Sequence, residues 1–401
     1  MESKDLIKRL CNALEIARRA VHLLASLGYQ DSRDPVVGVT AEKIVSEIAL
    51  LLLACKSAAA DYTEVSSLIC KIAEQLIPHA RNEQVVIRLC SKPALVLDFT
   101  FAHICLSRLG FPDSQIDDLI DFSLETVSGQ ERLPHRIFEQ EWLKRLRNAS
   151  DTHAYSDFGL ATLSILGKSF DVFTSSRDDV YAFTHAIMYM SDLGERKVRL
   201  PRSKNEILAD AEATLACCLD RQDYDLCGEL LLAWPYLSAS WSATAAFAFH
   251  VLARVEDVVG FLPASLTRLD RYNSLSEDKR SRYAMATVYH TAYVMGLLCA
   301  ASLKYRRIPP SVIPSTRYNG SAAMLLKIID DDGNKPHWRD DFSSLETKSQ
   351  DWLVPMLMTI ALKRAITSRN LERVKSLLAF GLDAGIVNYT ATHCKCGVKH
   401  Q

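Results

Sequence analysis

Four histidines of this 401-residue chain sit in apolar surroundings. They are His103 in FTFAHICLSRLG, His185 in YAFTHAIMYMSDLG, His250 at the end of an uncharged run, and His290 in TVYHTAYVMGLL. Imidazole is the side chain whose unperturbed pKa lies closest to neutrality, so a histidine facing a pocket serves as general acid, general base or metal ligand. The densest chemistry lies in Asp178–Gly194. At 3.6 residues per turn, Tyr181, His185, Tyr189 and Asp192 share one helical face. Val180, Phe183, Ile187 and Met190 cover much of the remainder. A helix that is apolar nearly all round, with one polar stripe, is buried with the stripe toward a cavity or a polar partner. The plainer alternative is a core helix whose His185 and Asp192 bond to neighbouring turns.

If the stripe faces a cavity, His185 and His290 act as base and acid, and Asp192 orients one imidazole. Tyr189 and Tyr293, the latter one turn beyond His290, shape or polarise a substrate. The segment PHRIFEQEWL at 134–143 adds Arg136 to hold an anionic group and Glu139 as a further base, unless these two simply pair at i, i+3 on a surface. Catalytic candidates are therefore His185, His290, Asp192, Tyr189 and Glu139; substrate-binding candidates are Arg136, Tyr181, Tyr293, Trp142 and His103. No cofactor and no metal site are assigned.

Other motifs carry less. Asp117, Asp118 and Asp121 spell DDxxD, which resembles the magnesium–diphosphate motif of class I prenyl enzymes, but acidic residues just after a helix start are favoured by the dipole anyway, and no second metal motif accompanies them. His393, Cys394, Cys396 and His400 could fill a zinc tetrahedron, although CxC is tighter than the usual spacing and a loose tail is the simpler reading. Asp330–Asp332 followed by Gly333 reads as a loop. There is no GxGxxG after a strand, no GxxxxGK[ST], no HExxH and no GxSxG.

The elements that must position these side chains read as helices throughout. Ser203 with Glu206, Ser274 with Glu277, and Asp61 with Glu64 form capping boxes. Ser175 with Asp178 caps the helix that bears His185, Thr40 and Asp113 cap others, and Pro134 opens its own. Leu-Gly recurs at helix ends, at Gly28, Gly110, Gly167 and Gly194, as C-cap chemistry and as a hint of degenerate hairpin repeats. No period-2 alternation suggests a strand. The chain is thus expected to be all-α, its helical hairpins arranged as an α/α toroid or an irregular solenoid. The expected organisation is an N-terminal helical segment over 1–80, a main α/α domain over 81–391 and a flexible tail over 392–401.

Net charge is −1, so nothing points to nucleic acid. Eleven scattered cysteines, an odd count, imply reduced thiols and a cytoplasmic setting. No signal peptide is read at the N-terminus. Two runs free of formal charge, 230–253 and 283–303, are long enough to span a bilayer but are loaded with Ser, Thr, Tyr and His, so buried helices are expected rather than membrane spans.

Hairpins with His- and Tyr-bearing inner helices resemble the α/α toroid of terpene cyclases, lanthionine cyclases and several glycosidases. More closely, PHRIFEQEWL with YAFTHAIMYMSDLG resembles a bacterial family of unknown function, across about residues 90–380, which is loosely associated with specialised-metabolite gene clusters. The resemblance implies a fold and a setting. The expected function is a biosynthetic enzyme for a specialised metabolite, catalysing redox-neutral ring closure or elimination on a small-molecule substrate. The alternative is a non-catalytic helical subunit that binds a protein partner, even as one half of a heteromeric enzyme, through exposed apolar stretches such as 48–55 or 352–360.

Overall fold

The computed structural model describes residues 1–27, 41–126, 131–148, 157–265, 267–310, 321–330 and 336–386. The expected caps at Gly28 and Thr40, residues 331–333 of the acidic loop and the Cys/His tail lie outside the described residues. Among those described, every regular element is helical and none is a strand, so the protein is all-α.

The longest helix, Glu277–Lys304, carries His290. The helices Ser3–Leu27, Ala41–Ala59 and Tyr224–Leu231 all pack on it. Two glycines sit at these contacts with no room for a Cβ. A Cβ on Gly228 would lie 2.5 Å from Val294 Cγ1, and one on Gly296 would lie 2.8 Å from Leu51 Cδ1. Either side chain would require Val294 or Leu51 to shift. A buried guanidinium ties the N-terminal helix down: Arg9 donates to Glu256 and to Asp257, each at 2.7 Å. The two uncharged runs lie in the interior. The first is split among Tyr224–Leu231, Ala233–Tyr236 and Ala243–Val259, and the second forms the inner part of the long helix. No helix among the described residues is long and apolar enough to cross a membrane. The nine described cysteines are free thiols.

The helix that bears His185 runs Arg177–Met190. Its cap is one residue later than the sequence suggests: Ser176, not Ser175, accepts from the Asp179 amide in a complete capping box. The preceding turn explains the shift. Asp171 accepts from the amides of Phe173 and Thr174, and its carbonyl takes the Ser175 amide, so that Ser175 closes this turn and extended Ser176 caps the helix. Ser203 and Glu206 do form their box. The proposed box at Ser274 and Glu277 is absent, because Ser274 ends a short helix and donates to Arg271 O; the long helix starts after Ser276, without a side-chain cap bond. Asp61 and Glu64 form none either: the helix Thr63–Ala80 starts after Tyr62, again without a side-chain cap bond. Asp113 caps as expected, accepting from the Ile116 amide.

Candidate functional site

A cavity of about 590 Å³ opens between the helices Ala41–Ala59, Phe101–Leu109, Pro134–Arg147, Arg177–Met190, Tyr224–Leu231 and Glu277–Lys304. Its mouth carries exposed Lys43, Leu133, Arg136 and Asp178; its floor is buried Glu229, Tyr293, Val294 and Leu297 beside His290. The volume suits a small molecule rather than a macromolecule.

One wall is the stripe of the Arg177–Met190 helix. The His185 ring stands 6.1 Å from that of Tyr181 and 5.9 Å from that of Tyr189. His290 lines the same cavity from the long helix, with Tyr293 stacked on it at 5.6 Å. Glu229 lies between the two imidazoles. Its Oε2 is 3.8 Å from His185 Nε2, and its Oε1 is 3.7 Å from His290 Nε2. Thr184 fixes the carboxylate by donating to Oε2 at 2.6 Å.

His290 is the most heavily charged point of the floor. Its Nδ1 is 3.2 Å from Glu47 Oε2, and its Nε2 is 3.2 Å from Asp225 Oδ1. Burial disfavours an imidazolium, but Glu47, Asp225 and Glu229 outweigh it and hold the His290 pKa well above the ordinary histidine value. The imidazoles act in return: burial would raise Glu47 and Glu229, yet His290, joined by His185 at Glu229, draws both below the usual carboxylate range. For Asp225 burial wins and the pKa rises, although Tyr181 donates to its Oδ2 at 2.5 Å and Arg177 at 3.3 Å.

A second polar chain continues from this wall onto the neighbouring helix Pro134–Arg147. Tyr189 donates to Glu139 Oε1 at 3.1 Å, and Arg136 donates to Glu139 Oε2 at 2.8 Å. Burial and the adjacent Glu139 push the Tyr189 pKa far up, so it stays a phenol. Arg136 and Glu139 therefore pair as i, i+3 neighbours while both still line the cavity.

The structure sends three of the sequence candidates elsewhere. Asp192 does not share the stripe. The helix stops at Met190, and Asp192 lies beyond it with φ 52°, so extrapolating the helical period past that point fails. Its Oδ1 accepts from Trp142 Nε1 at 2.6 Å. Trp142 is fully buried behind the wall, packed on Phe101 and Tyr189, and does not line the cavity. His103 is buried in a separate polar cluster. Arg81 donates to its Nδ1, so the ring proton sits on Nε2 and goes to Asp117 Oδ1 at 3.1 Å. Asp117 is thus held by a hydrogen bond from His103 with Arg147 beside it at 3.9 Å, and Asp121 pairs with Arg147 at 2.8 Å, so two carboxylates of DDxxD already have partners. His250 donates to the carbonyl of Pro310, away from the cavity.

Sequence reasoning overlooked Glu47, Asp225 and Glu229. The signal was present: each is a carboxylate set in an apolar helical run, KIVSEIALLLL or YDLCGELLLA, where a charge is costly unless it has work or a partner. Asp225 and Glu229 are also i, i+4 and share one face.

With this geometry in place, comparison with known proteins adds one finding. The family model described as a domain of unknown function (DUF6895) matches residues 12–300. The chain belongs to that family. The match starts earlier and ends earlier than the sequence resemblance suggested, and it takes in every residue that lines the cavity. No curated protein and no solved structure matches the chain.

Proposed function

We propose that the cavity is the active site of an enzyme that carries out redox-neutral acid–base chemistry, ring closure or elimination, on a small molecule. The observation that supports this reading is the convergence of His185, Glu229 and His290 on one cavity of small-molecule size. In it, His185 exchanges the proton: its side chain is 26% exposed, toward the cavity. Glu229 stands where the sequence had placed Asp192 and stabilises the imidazolium as it forms. His290, ringed by carboxylates, keeps its own proton tightly and serves as the countercharge that keeps Glu229 ionised. Arg136 at the mouth offers a guanidinium to an anionic group of the substrate. Tyr189, its hydroxyl committed to Glu139, positions rather than reacts.

The helices around the cavity form, in this reading, the inner wall of an α/α toroid, and the setting is the cytoplasmic biosynthesis of a specialised metabolite. The free thiols are consistent with that compartment. The alternative of a partner-binding subunit finds less support in the stretches 48–55 and 352–360, whose apolar side chains are mostly buried, Leu53 and Ala54 being half-buried. The test is conversion of small molecules by the wild-type chain and its loss in His185→Ala with the fold retained.

A further inference from the structure

Acid–base chemistry at His185 leaves unexplained why Glu47 and Asp225 are also buried against His290. We infer that Asp225, Glu229 and His290 form a binding site for one first-row divalent cation of the Mn²⁺ or Fe²⁺ type, with Glu47 orienting the imidazole. The site goes beyond the acid–base reading and does not depend on it: on binding, the ion displaces the His290 Nε2 proton to water and takes over as countercharge to Glu229, while Nδ1 keeps its proton toward Glu47.

Geometry carries the inference. One ligand atom from each of Asp225, Glu229 and His290 lies within 4.8 Å of the other two. Two ligands held about 2.1 Å from a shared ion stand roughly 3.0–3.4 Å apart at octahedral to tetrahedral angles. His290 Nε2 already lies 3.2 Å from Asp225 Oδ1 and 3.7 Å from Glu229 Oε1, so only small side-chain rotations are needed. Glu47 faces the other ring nitrogen at 3.2 Å, in the carboxylate–histidine–metal order that fixes the tautomer of a ligating imidazole.

An independent observation is unsatisfied valence. Asp225 Oδ1, Glu47 Oε2 and His290 Nδ1 are buried yet lack a hydrogen bond; Asp225 and Glu47 approach the His290 ring nitrogens at 3.2 Å as ion-pair contacts only. The Asp225 side chain is only 8% exposed, and its Oδ1 faces His290 Nε2 at 3.2 Å as an ion-pair contact without a hydrogen bond. Buried polar atoms are ordinarily satisfied, and a cation between them would satisfy Asp225 Oδ1 directly. The charge inventory agrees. Against Glu47, Asp225 and Glu229 the floor sets His290, Lys43 on Glu47, and an Arg177 that Asp223 shares. Two carboxylates and one imidazole suit a hard-to-borderline ion, and the cavity side leaves coordination positions for water or a substrate oxygen, which the ion would polarise.

The test uses the full chain, stripped with a chelator and titrated with Mn²⁺. Mn²⁺ is chosen because the thiolates of Cys394 and Cys396 prefer softer ions. One Mn²⁺ per chain should bind, with imidazole nitrogen coupling in the pulsed electron paramagnetic resonance spectrum. Asp225→Asn should weaken binding by at least about 10-fold, Glu47→Gln by about 10–100-fold, and His290→Gln should remove the nitrogen signal. Failure to bind below millimolar Mn²⁺, a wild-type spectrum without nitrogen coupling, or unchanged affinity in folded Asp225→Asn would overturn the site. The wild-type spectrum decides even if a variant fails to fold. None of these outcomes bears on whether His185→Ala is inactive.

Discussion

Glu229 and His185 face each other across the cavity floor, with Glu229 Oε2 3.8 Å from His185 Nε2. The separation is too long for a hydrogen bond but short enough for a carboxylate to stabilise an imidazolium as it forms. His290, on the other side of Glu229, is in a different position: it is set against carboxylates on both ring nitrogens.

The two histidines should therefore respond differently to removal. His185→Ala should lower kcat/KM by about 10²–10⁴-fold and leave stability within about 1 kcal/mol, because it removes a partly exposed ring. His290→Ala should destabilise the metal-free chain by about 3–5 kcal/mol, since it strands buried carboxylates without their countercharge. Urea melts of the two variants check this. Equal and small stability losses would show that His290 is not the electrostatic centre of the floor.

Trp142 and Asp192 form a structural latch at the end of the His185 helix. Trp142→Phe should cost about 1.5–3 kcal/mol by leaving Asp192 without its indole donor, and Asp192→Asn, which keeps an acceptor, should cost less. Activity should follow stability in both. A loss of kcat in folded Asp192→Asn comparable to that of His185→Ala would return Asp192 to the catalytic set.

His103 gives the fold an acid-sensitive point remote from the cavity. Burial lowers its pKa, and Arg81 adds to that; Asp117 and Asp113 oppose it, and Arg147 lies beside Asp117. The unfolded chain then takes up the histidine proton more readily than the folded one. The stabilising contribution is present above the unfolded pKa of about 6.5 and is lost as pH falls through the lower, folded value. His103→Gln should flatten the fall in melting temperature between about pH 7 and 5 relative to wild type. An unchanged slope would place the acid sensitivity elsewhere.

The helical fold was legible because caps and periods are local. Ser203, Glu206, Pro134 and Asp113 take the places their types dictate. The His185 stripe could likewise be read as far as Tyr189, where the helix still runs. It could not be read at Asp192, because the turn there depends on the left-handed Asp192–Gly194 backbone and on Trp142, 50 residues away in sequence. Nor could the partners of His290 be read. Glu47, Asp225 and Glu229 reach it through the close packing that Gly228 and Gly296 allow, a relation between distant segments that no local pattern records.

The most direct measurement of the central claim is untargeted mass spectrometry of small-molecule extracts incubated with the wild-type chain and with His185→Ala. The account predicts a substrate consumed by wild type alone, with a product that is isomeric or lacks one small neutral leaving group such as water or ammonia. Identical extracts from both proteins, or a product that differs from its substrate by the gain or loss of two hydrogens, would contradict it.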